Sequence, residues 1–132
     1  FREESPYRHI MPRSDFIDQL KKLGYEEVSE KNSFVSFDYI VEVGKFAGQK
    51  IKMAFQVTDD FPLNPPGGPH ISPRLLPLHT NQDPHPNGGI HASDNLGSDW
   101  EYWSRPFKDS WNQTDRTVRT YMAFIRRLFE DQ

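Results

Sequence analysis

The sequence contains no cysteine, so it can form neither disulfide bonds nor a zinc site with Cys ligands. It also has no apolar run near the ~18 residues that a membrane-spanning helix needs. Basic residues are not in excess, because 16 Lys and Arg stand against 19 Asp and Glu, for a net charge of −3. Proteins that bind nucleic acid usually carry a basic patch. We therefore expect neither a membrane nor a nucleic acid as partner.

The composition indicates a folded domain with stiff loops, since aromatic residues make up 14% of the chain and prolines number 11. A chain of 132 residues is long enough for one sizeable core but not for two. We predict a single domain over residues 1–132, with an extended lead-in over residues 1–12. The chain begins at Phe1 without a signal-peptide pattern, and a cytoplasmic location is expected.

Two segments have the periodicity of helices. In residues 15–23 apolar side chains recur at helical spacing, and Gly24 supplies a C-terminal stop. In residues 116–129 apolar side chains recur at steps of three and four, and Asp115 or Thr114 can cap the start. The second segment is the clearest helix of the chain.

Between these helices the sequence is typical of strands. Residues 34–43 are rich in β-branched and aromatic side chains, residues 49–57 alternate polar and apolar, and residues 44–48 make a hairpin connection. Val28 lies on a possible first strand, and residues 70–72 on a short fourth one. These patterns predict an α+β domain in which an antiparallel four-stranded meander carries the helices on one side.

The stretch that stands apart is residues 84–103 (PHPNGGIHASDNLGSDWEYW), which is polar and rich in glycine. This composition is typical of an irregular loop, and loops held on a rigid scaffold often carry binding and catalytic residues. Trp100 and Trp103 within it are expected to pack beneath the loop. A Pro-rich turn at residues 61–66 (FPLNPP) lies upstream. We interpret residues 84–103 as the functional site.

Several short motifs, in this order, resemble those of the ubiquitin-conjugating enzymes. The first is the aromatic-Pro-x-x-Pro-Pro turn of residues 61–66, and the second is His85-Pro86-Asn87, which in that family precedes the nucleophilic cysteine. After Gly89, four residues stand at the spacing that the family shows around and beyond its cysteine, namely Ala92, Asp94, Leu96 and Trp100. The resemblance covers residues 15–129. It implies the family's α+β fold, with an N-terminal helix, an antiparallel meander, a long active-site loop and a C-terminal helix.

The chain departs from that family at the catalytic position, because Ala92 stands where the resemblance places the cysteine. The loop from Asn87 to Ala92 is also shorter than is usual in the family, which indicates a divergent, bacterial-type member. Three explanations of Ala92 stay open. A native cysteine has been replaced by alanine, the chain is a natural relative without catalytic activity, or a different nucleophile or a metal is used.

The resemblance implies an enzyme that carries a ubiquitin-like modifier as a cysteine thioester. It would receive the modifier from an ATP-dependent activating enzyme and transfer it to an amine of a target protein, without a cofactor. A thiolate suits this reaction because it is both a strong nucleophile and a good leaving group. The alternative is a binding module of the same fold, which holds a ubiquitin-like protein or a partner enzyme without chemistry.

The resemblance also gives roles to residues near position 92. Asn87 would steady the loop or the developing oxyanion, and it could equally form an Asx turn. Asp94 would orient or deprotonate an incoming lysine, or it could simply bond to loop amides. His85 is carried over as a site residue because it belongs to the motif that precedes the nucleophile.

Other chemistry would use the histidines or a serine. His91 could act as a base or a nucleophile, or it could face solvent or pack on a tryptophan. His79, His85 and His91 lie six residues apart, which leaves a zinc site open. Ser93 could act as a nucleophile only with a general base within ~3 Å, and a turn-forming serine is the other interpretation.

Overall fold

The structure, a computed structural model, describes residues 12–76, 90–93, 95–105, 107 and 109–131. Two α-helices, six strands and a short 3₁₀ helix occur in these residues. In chain order they are α1 (Pro12–Lys22), β1 (Ser29–Lys31), β2 (Phe34–Ile40), β3 (Lys50–Gln56), β4 (His70–Ser72), β5 (Ile90–Ala92), β6 (Glu101–Trp103), the 3₁₀ helix (Asp109–Gln113) and α2 (Val118–Glu130).

The six strands form one antiparallel sheet in the order β1-β2-β3-β4-β6-β5. The first four strands are neighbours in chain order, which confirms the predicted meander and the α+β class. Strand β4 has the predicted bounds. Strands β2 and β3 are shorter than the segments predicted for them, and β1 begins just after Val28.

The interpretation of residues 84–103 as a wholly irregular loop is wrong, because β5 and β6 lie within that range. Each of these strands has only three residues, which is too short to give a recognisable alternation. Their pairing places Ile90 opposite Trp103, and both side chains are buried. Burial of these two apolar groups explains why a polar segment returns to the sheet.

Both helices pack on the same face of the sheet, as predicted. The ring of Phe55 in β3 lies 5.9 Å from that of Phe16 in α1 and 5.1 Å from that of Tyr121 in α2. Full burial of a large apolar side chain stabilises a fold by about 1.5–3 kcal/mol. Other fully buried members of this core are Leu20, Val35, Phe37, Met53, Ile71 and Ile125.

Helix α1 begins at Pro12, earlier than the predicted residue 15, so residue 12 belongs to the helix and not to a lead-in. Proline suits the first helical position because its φ is preset and its missing N–H would have no helical partner there. The predicted stop at Gly24 is confirmed, since its φ is +97°. The amide of Tyr25 donates to the carbonyl oxygen of Leu20 at 3.2 Å. Residues 1–11 lie outside the described residues.

Helix α2 has Thr117 as its N-cap, so the predicted start at residue 116 and both predicted caps are wrong. Arg116 has a φ of +57°, which no α-helical residue adopts. The Thr117 hydroxyl accepts a hydrogen bond from the amide of Thr120 at 3.2 Å. The carboxylate of Asp115 supports the cap, because it accepts a hydrogen bond from the Thr117 amide at 3.2 Å.

Candidate functional site

Position 92 lies at the end of a strand on the margin of the sheet. Strand β5 is the last strand in the sheet order and pairs with β6, with Ala92 opposite Glu101 and His91 opposite Tyr102. His91 and Ala92 are exposed, whereas Ile90 is buried. The strand is therefore anchored at its start, and a side chain at position 92 faces solvent.

A buried carboxyl group lies on β6, the strand that pairs with β5. Glu101 is fully buried, and its Oε2 accepts hydrogen bonds from the Leu75 amide at 3.1 Å and the Trp103 indole N–H at 2.8 Å. The Leu76 amide donates to its Oε1 at 3.2 Å. Sequence reasoning missed Glu101. The only signal was its i, i+2 spacing to Trp103, which places both side chains on the inner face of a strand.

Trp103 packs beneath the site, as expected of it. Its side chain is fully buried, and its ring centroid lies 4.9 Å from that of Phe129 in α2. Its backbone lies close to Pro69, the residue before β4, and the Trp103 amide donates a hydrogen bond to the Pro69 carbonyl oxygen at 2.9 Å. A Cβ on Gly68 would lie 2.2 Å from the Trp103 carbonyl oxygen, so only glycine fits there. Trp100 is half-buried and lies at the surface of the fold.

The Pro-rich turn of residues 61–66 is held against the core from several sides. The Phe61 ring is buried, 5.2 Å from that of Phe16. The Trp111 indole N–H donates to the Pro62 carbonyl oxygen at 2.9 Å, and the Tyr121 hydroxyl donates to the Gly67 carbonyl oxygen at 2.5 Å. These contacts fix the path of the chain between the meander and the site.

The outer face of the sheet, opposite the helices, holds a histidine that sequence reasoning missed. His70 Nδ1 lies 2.7 Å from Ser93 Oγ, so the condition that the sequence left open for Ser93, a base within ~3 Å, is met. The His70 ring lies between Phe34 and Tyr102, at centroid distances of 5.0 and 4.6 Å. The hydrogen bond between His70 and Ser93 connects β4 to the residue that follows β5. These two residues are 23 positions apart in the sequence, so no local sequence pattern predicts their contact.

Burial determines the state of this pair. Desolvation lowers the pKa of His70 from 6.5 to about 4, because a half-buried ring loses hydration of its charged form. The imidazole is therefore neutral near pH 7, and one ring nitrogen can accept a hydrogen bond. Ser93 is 3% exposed, and its carbonyl oxygen accepts hydrogen bonds from the Leu96 and Gly97 amides at 3.1 and 3.0 Å.

A groove of about 510 Å³ opens on the same face, next to the pair. Phe34, whose ring contacts His70, forms part of its wall, and so does Leu96, whose amide is bonded to Ser93. Lys31 and Trp100 also line it. The wall of the groove thus includes one residue that contacts the His70 ring and one that is bonded to the backbone of Ser93.

His91 faces solvent, one of the alternatives considered for it, and its ring centroid lies 6.3 Å from that of Tyr102. Within the described residues, no three His, Cys, Asp or Glu side chains lie close enough together to hold a metal ion. His79, His85, Asn87 and Asp94 lie outside the described residues. Their proposed roles, and the zinc alternative that involves His79 and His85, therefore stay predictions.

Comparison with known proteins gives one match. A model of the family described as Prokaryotic E2 family E matches residues 13–132, which includes α1 except for Pro12, the whole described sheet, α2 and position 92. Neither a curated protein nor a solved structure matches the chain. Among the described residues, no helix has the length and apolar character needed to span a membrane.

Proposed function

Because the chain belongs to prokaryotic E2 family E, a family of ubiquitin-like conjugation, we propose that it is the carrier component of such a system. In this role it receives a ubiquitin-like modifier from an ATP-dependent activating enzyme and presents it to an amine of a target protein. The observation that supports this most directly is the placement of position 92. It is exposed at the end of β5, on a strand fixed by the burial of Ile90.

A cysteine at that position would complete the reaction. Its thiolate would attack the carbonyl carbon of the incoming thioester and later leave when the target amine attacks. Ala92 has only a methyl group, so this side chain forms no covalent bond with the modifier. We propose that Asn87 steadies the loop or the oxyanion, that Asp94 orients the amine, and that His85 and His91 complete the polar surroundings.

The second candidate function is a binding module, and the absence of cysteine from all 132 residues favours it. Such a module would use the same surface to hold a ubiquitin-like protein or a partner enzyme and would perform no transfer. The codon at position 92 of the natural gene separates the two candidates. A Cys codon supports a replaced nucleophile, and an Ala codon supports the binding module.

The biochemical test is the Ala92→Cys variant, incubated with an activating enzyme, ATP, and ubiquitin or a bacterial ubiquitin-like protein. The proposal predicts an adduct on a gel that disappears with reducing agent. The matched control is Ala123→Cys, which places a thiol on an exposed position of α2. No adduct on the first variant, with binding of the modifier retained, would favour the binding module. Equal adducts on both variants would contradict a specific role for position 92.

A further inference from the structure

We propose that Ser93 is an acyl-accepting residue of this cysteine-free chain, with His70 as its general base. The inference rests on the proposed carrier function, since the acyl donor would be a C-terminal thioester of a ubiquitin-like protein. It goes beyond that function, because it gives the present chain a covalent activity that Ala92 cannot supply. Ser93 follows position 92 in the chain, but its side chain lies with His70 on the outer face of the sheet, whereas Ala92 lies opposite Glu101 on the inner face. The donor would therefore have to approach Ser93 from the outer face.

The first support is the geometry of the pair. A serine hydroxyl is a weak nucleophile unless a base lies within hydrogen-bond distance of it, and the 2.7 Å between Ser93 Oγ and His70 Nδ1 meets that requirement. The base is also held in place, because Phe34 and Tyr102 contact its ring from two sides. A fixed imidazole needs no rearrangement before it accepts the proton.

The second support is the protonation state of the base. Burial keeps the pKa of His70 near 4, so the ring is neutral near pH 7 and Nδ1 can accept the Ser93 hydrogen when the ring proton is on Nε2. The same burial disfavours the imidazolium that forms during the reaction. The ester should therefore form more slowly than a thioester at a cysteine.

The third support is the route of approach. The Ser93 side chain is enclosed, and the groove beside it is bounded by Leu96 and Phe34. The narrow C-terminal tail of a donor lying in this groove would reach Oγ after the turn closed by the hydrogen bonds of the Leu96 and Gly97 amides to the Ser93 carbonyl oxygen opens. Once formed, an ester in an enclosed site is protected from water.

The step balances as a simple acyl exchange. The Ser93 oxygen attacks the carbonyl carbon of the thioester, and an oxygen–carbon bond forms as the carbon–sulfur bond breaks. The hydroxyl proton passes to His70 Nδ1 and then to the departing sulfur, which leaves as a thiol. No oxidant, reductant or metal is needed.

The experiment uses ubiquitin that carries a C-terminal thioester of 2-mercaptoethanesulfonate, a donor that needs no activating enzyme. The unaltered chain is incubated with it, and the adduct is measured by intact mass and located by peptide mapping. An ester at Ser93 resists thiol reductants and is released by alkali, whereas an amide at a lysine resists both treatments. We expect an alkali-labile adduct at Ser93.

Three variants make the result specific. Ser93→Ala should give no ester, and His70→Gln should reduce its rate by about 10²–10⁴-fold, the range typical of general-base catalysis. Ser110→Ala is the control, because this serine is exposed on the 3₁₀ helix and is not among the residues that line the groove, and it should leave the rate unchanged. Thermal unfolding of each variant checks that it is folded. If the Ser93→Ala variant is not folded, the peptide map of the unaltered chain still shows whether Ser93 carries the ester.

The Ala92→Cys variant, treated with the same donor, separates this inference from the proposed function. If it acquires a thioester while the unaltered chain acquires no ester, the inference is overturned and the carrier function stands. If neither protein acquires an adduct, both the inference about Ser93 and the proposed carrier function are overturned. If the unaltered chain is esterified at Ser93 and the variant gains no thioester, the inference stands and the assignment of position 92 is wrong.

Discussion

The Tyr121 hydroxyl, fully buried on α2, donates a hydrogen bond of 2.5 Å to the carbonyl oxygen of Gly67, the residue that follows the Pro-rich turn. Burial raises the pKa of Tyr121 well above its usual range, so the hydroxyl stays protonated and remains a donor. This bond connects the C-terminal helix to the turn that leads the chain into β4 and the site.

Removal of this hydroxyl should therefore destabilise the fold without changing the shape of the core. Tyr121→Phe keeps the aromatic ring but leaves a carbonyl oxygen without its partner, which costs about 1–3 kcal/mol. Urea unfolding of the variant and the parent measures the difference. A change below 0.5 kcal/mol, within the ordinary range of surface substitutions, would contradict this role.

The glycine pair at residues 67 and 68 offers a matched test of the close approach beneath the site. A Cβ at Gly68 would lie 2.2 Å from the Trp103 carbonyl oxygen, whereas one at Gly67 would meet no atom within 4 Å. Gly68→Ala should thus cost about 1–3 kcal/mol, as expected of overpacking, and Gly67→Ala should cost little. Equal effects on the unfolding midpoint would show that the approach of Trp103 is not tight.

The buried carboxyl group of Glu101 should be sensitive to a change of one atom. Glu101→Gln places an amide nitrogen where an oxygen now accepts hydrogen bonds from backbone N–H groups and the Trp103 indole. We expect a loss of about 1–3 kcal/mol in the free energy of unfolding. Glu130→Gln, at an exposed position of α2, is the control. A loss no larger than that of the control would argue against support of β6 by this carboxyl.

His70 predicts a pH dependence of stability. Its pKa is 6.5 in its ordinary state and about 4 in the fold, so between these values the unfolded chain binds a proton that the folded chain does not. The free energy of unfolding should therefore fall as the pH falls from about 6.5 to 4, by about 2 kcal/mol when solvent screening of a half-buried ring is allowed for. Chemical denaturation at a series of pH values measures this.

His70→Gln isolates that effect, because glutamine does not titrate and the other ionisable groups are common to both proteins. The difference in stability between parent and variant should change with pH over this interval. A difference that is constant from pH 7 to pH 4 would mean that the imidazole titrates at its ordinary pKa and is not desolvated.

The sequence was sufficient for the parts of the fold that follow from local patterns. The β-branched and aromatic content of β2, the alternation in β3 and the apolar stripe of α2 predict those elements because each pattern is local in the sequence. The boundaries near Arg116 were not predictable in this way. Arg116 has a positive φ and lies between Asp115 and Thr117, which are joined by a hydrogen bond, and no residue propensity describes this arrangement.

The site was predictable only in part. The order and spacing of the motifs indicated position 92 because these motifs are close together in the sequence. The family match over residues 13–132 agrees with the resemblance to ubiquitin-conjugating enzymes. The His70–Ser93 pair and the Glu101 network arise from the sheet order β4-β6-β5, in which strands distant in sequence become neighbours. Such pairings depend on tertiary packing, and residue types alone do not reveal them.

The measurement that tests the central claim most directly is the site of attachment in the Ala92→Cys variant. After reaction with an activating enzyme, ATP and a ubiquitin-like protein, peptide mapping under non-reducing conditions should find the modifier on residue 92, in a bond that a reducing agent breaks. The exposed place of that residue at the end of β5 predicts this result. Absence of the thioester, with the variant folded and the activating enzyme charged, would contradict the account.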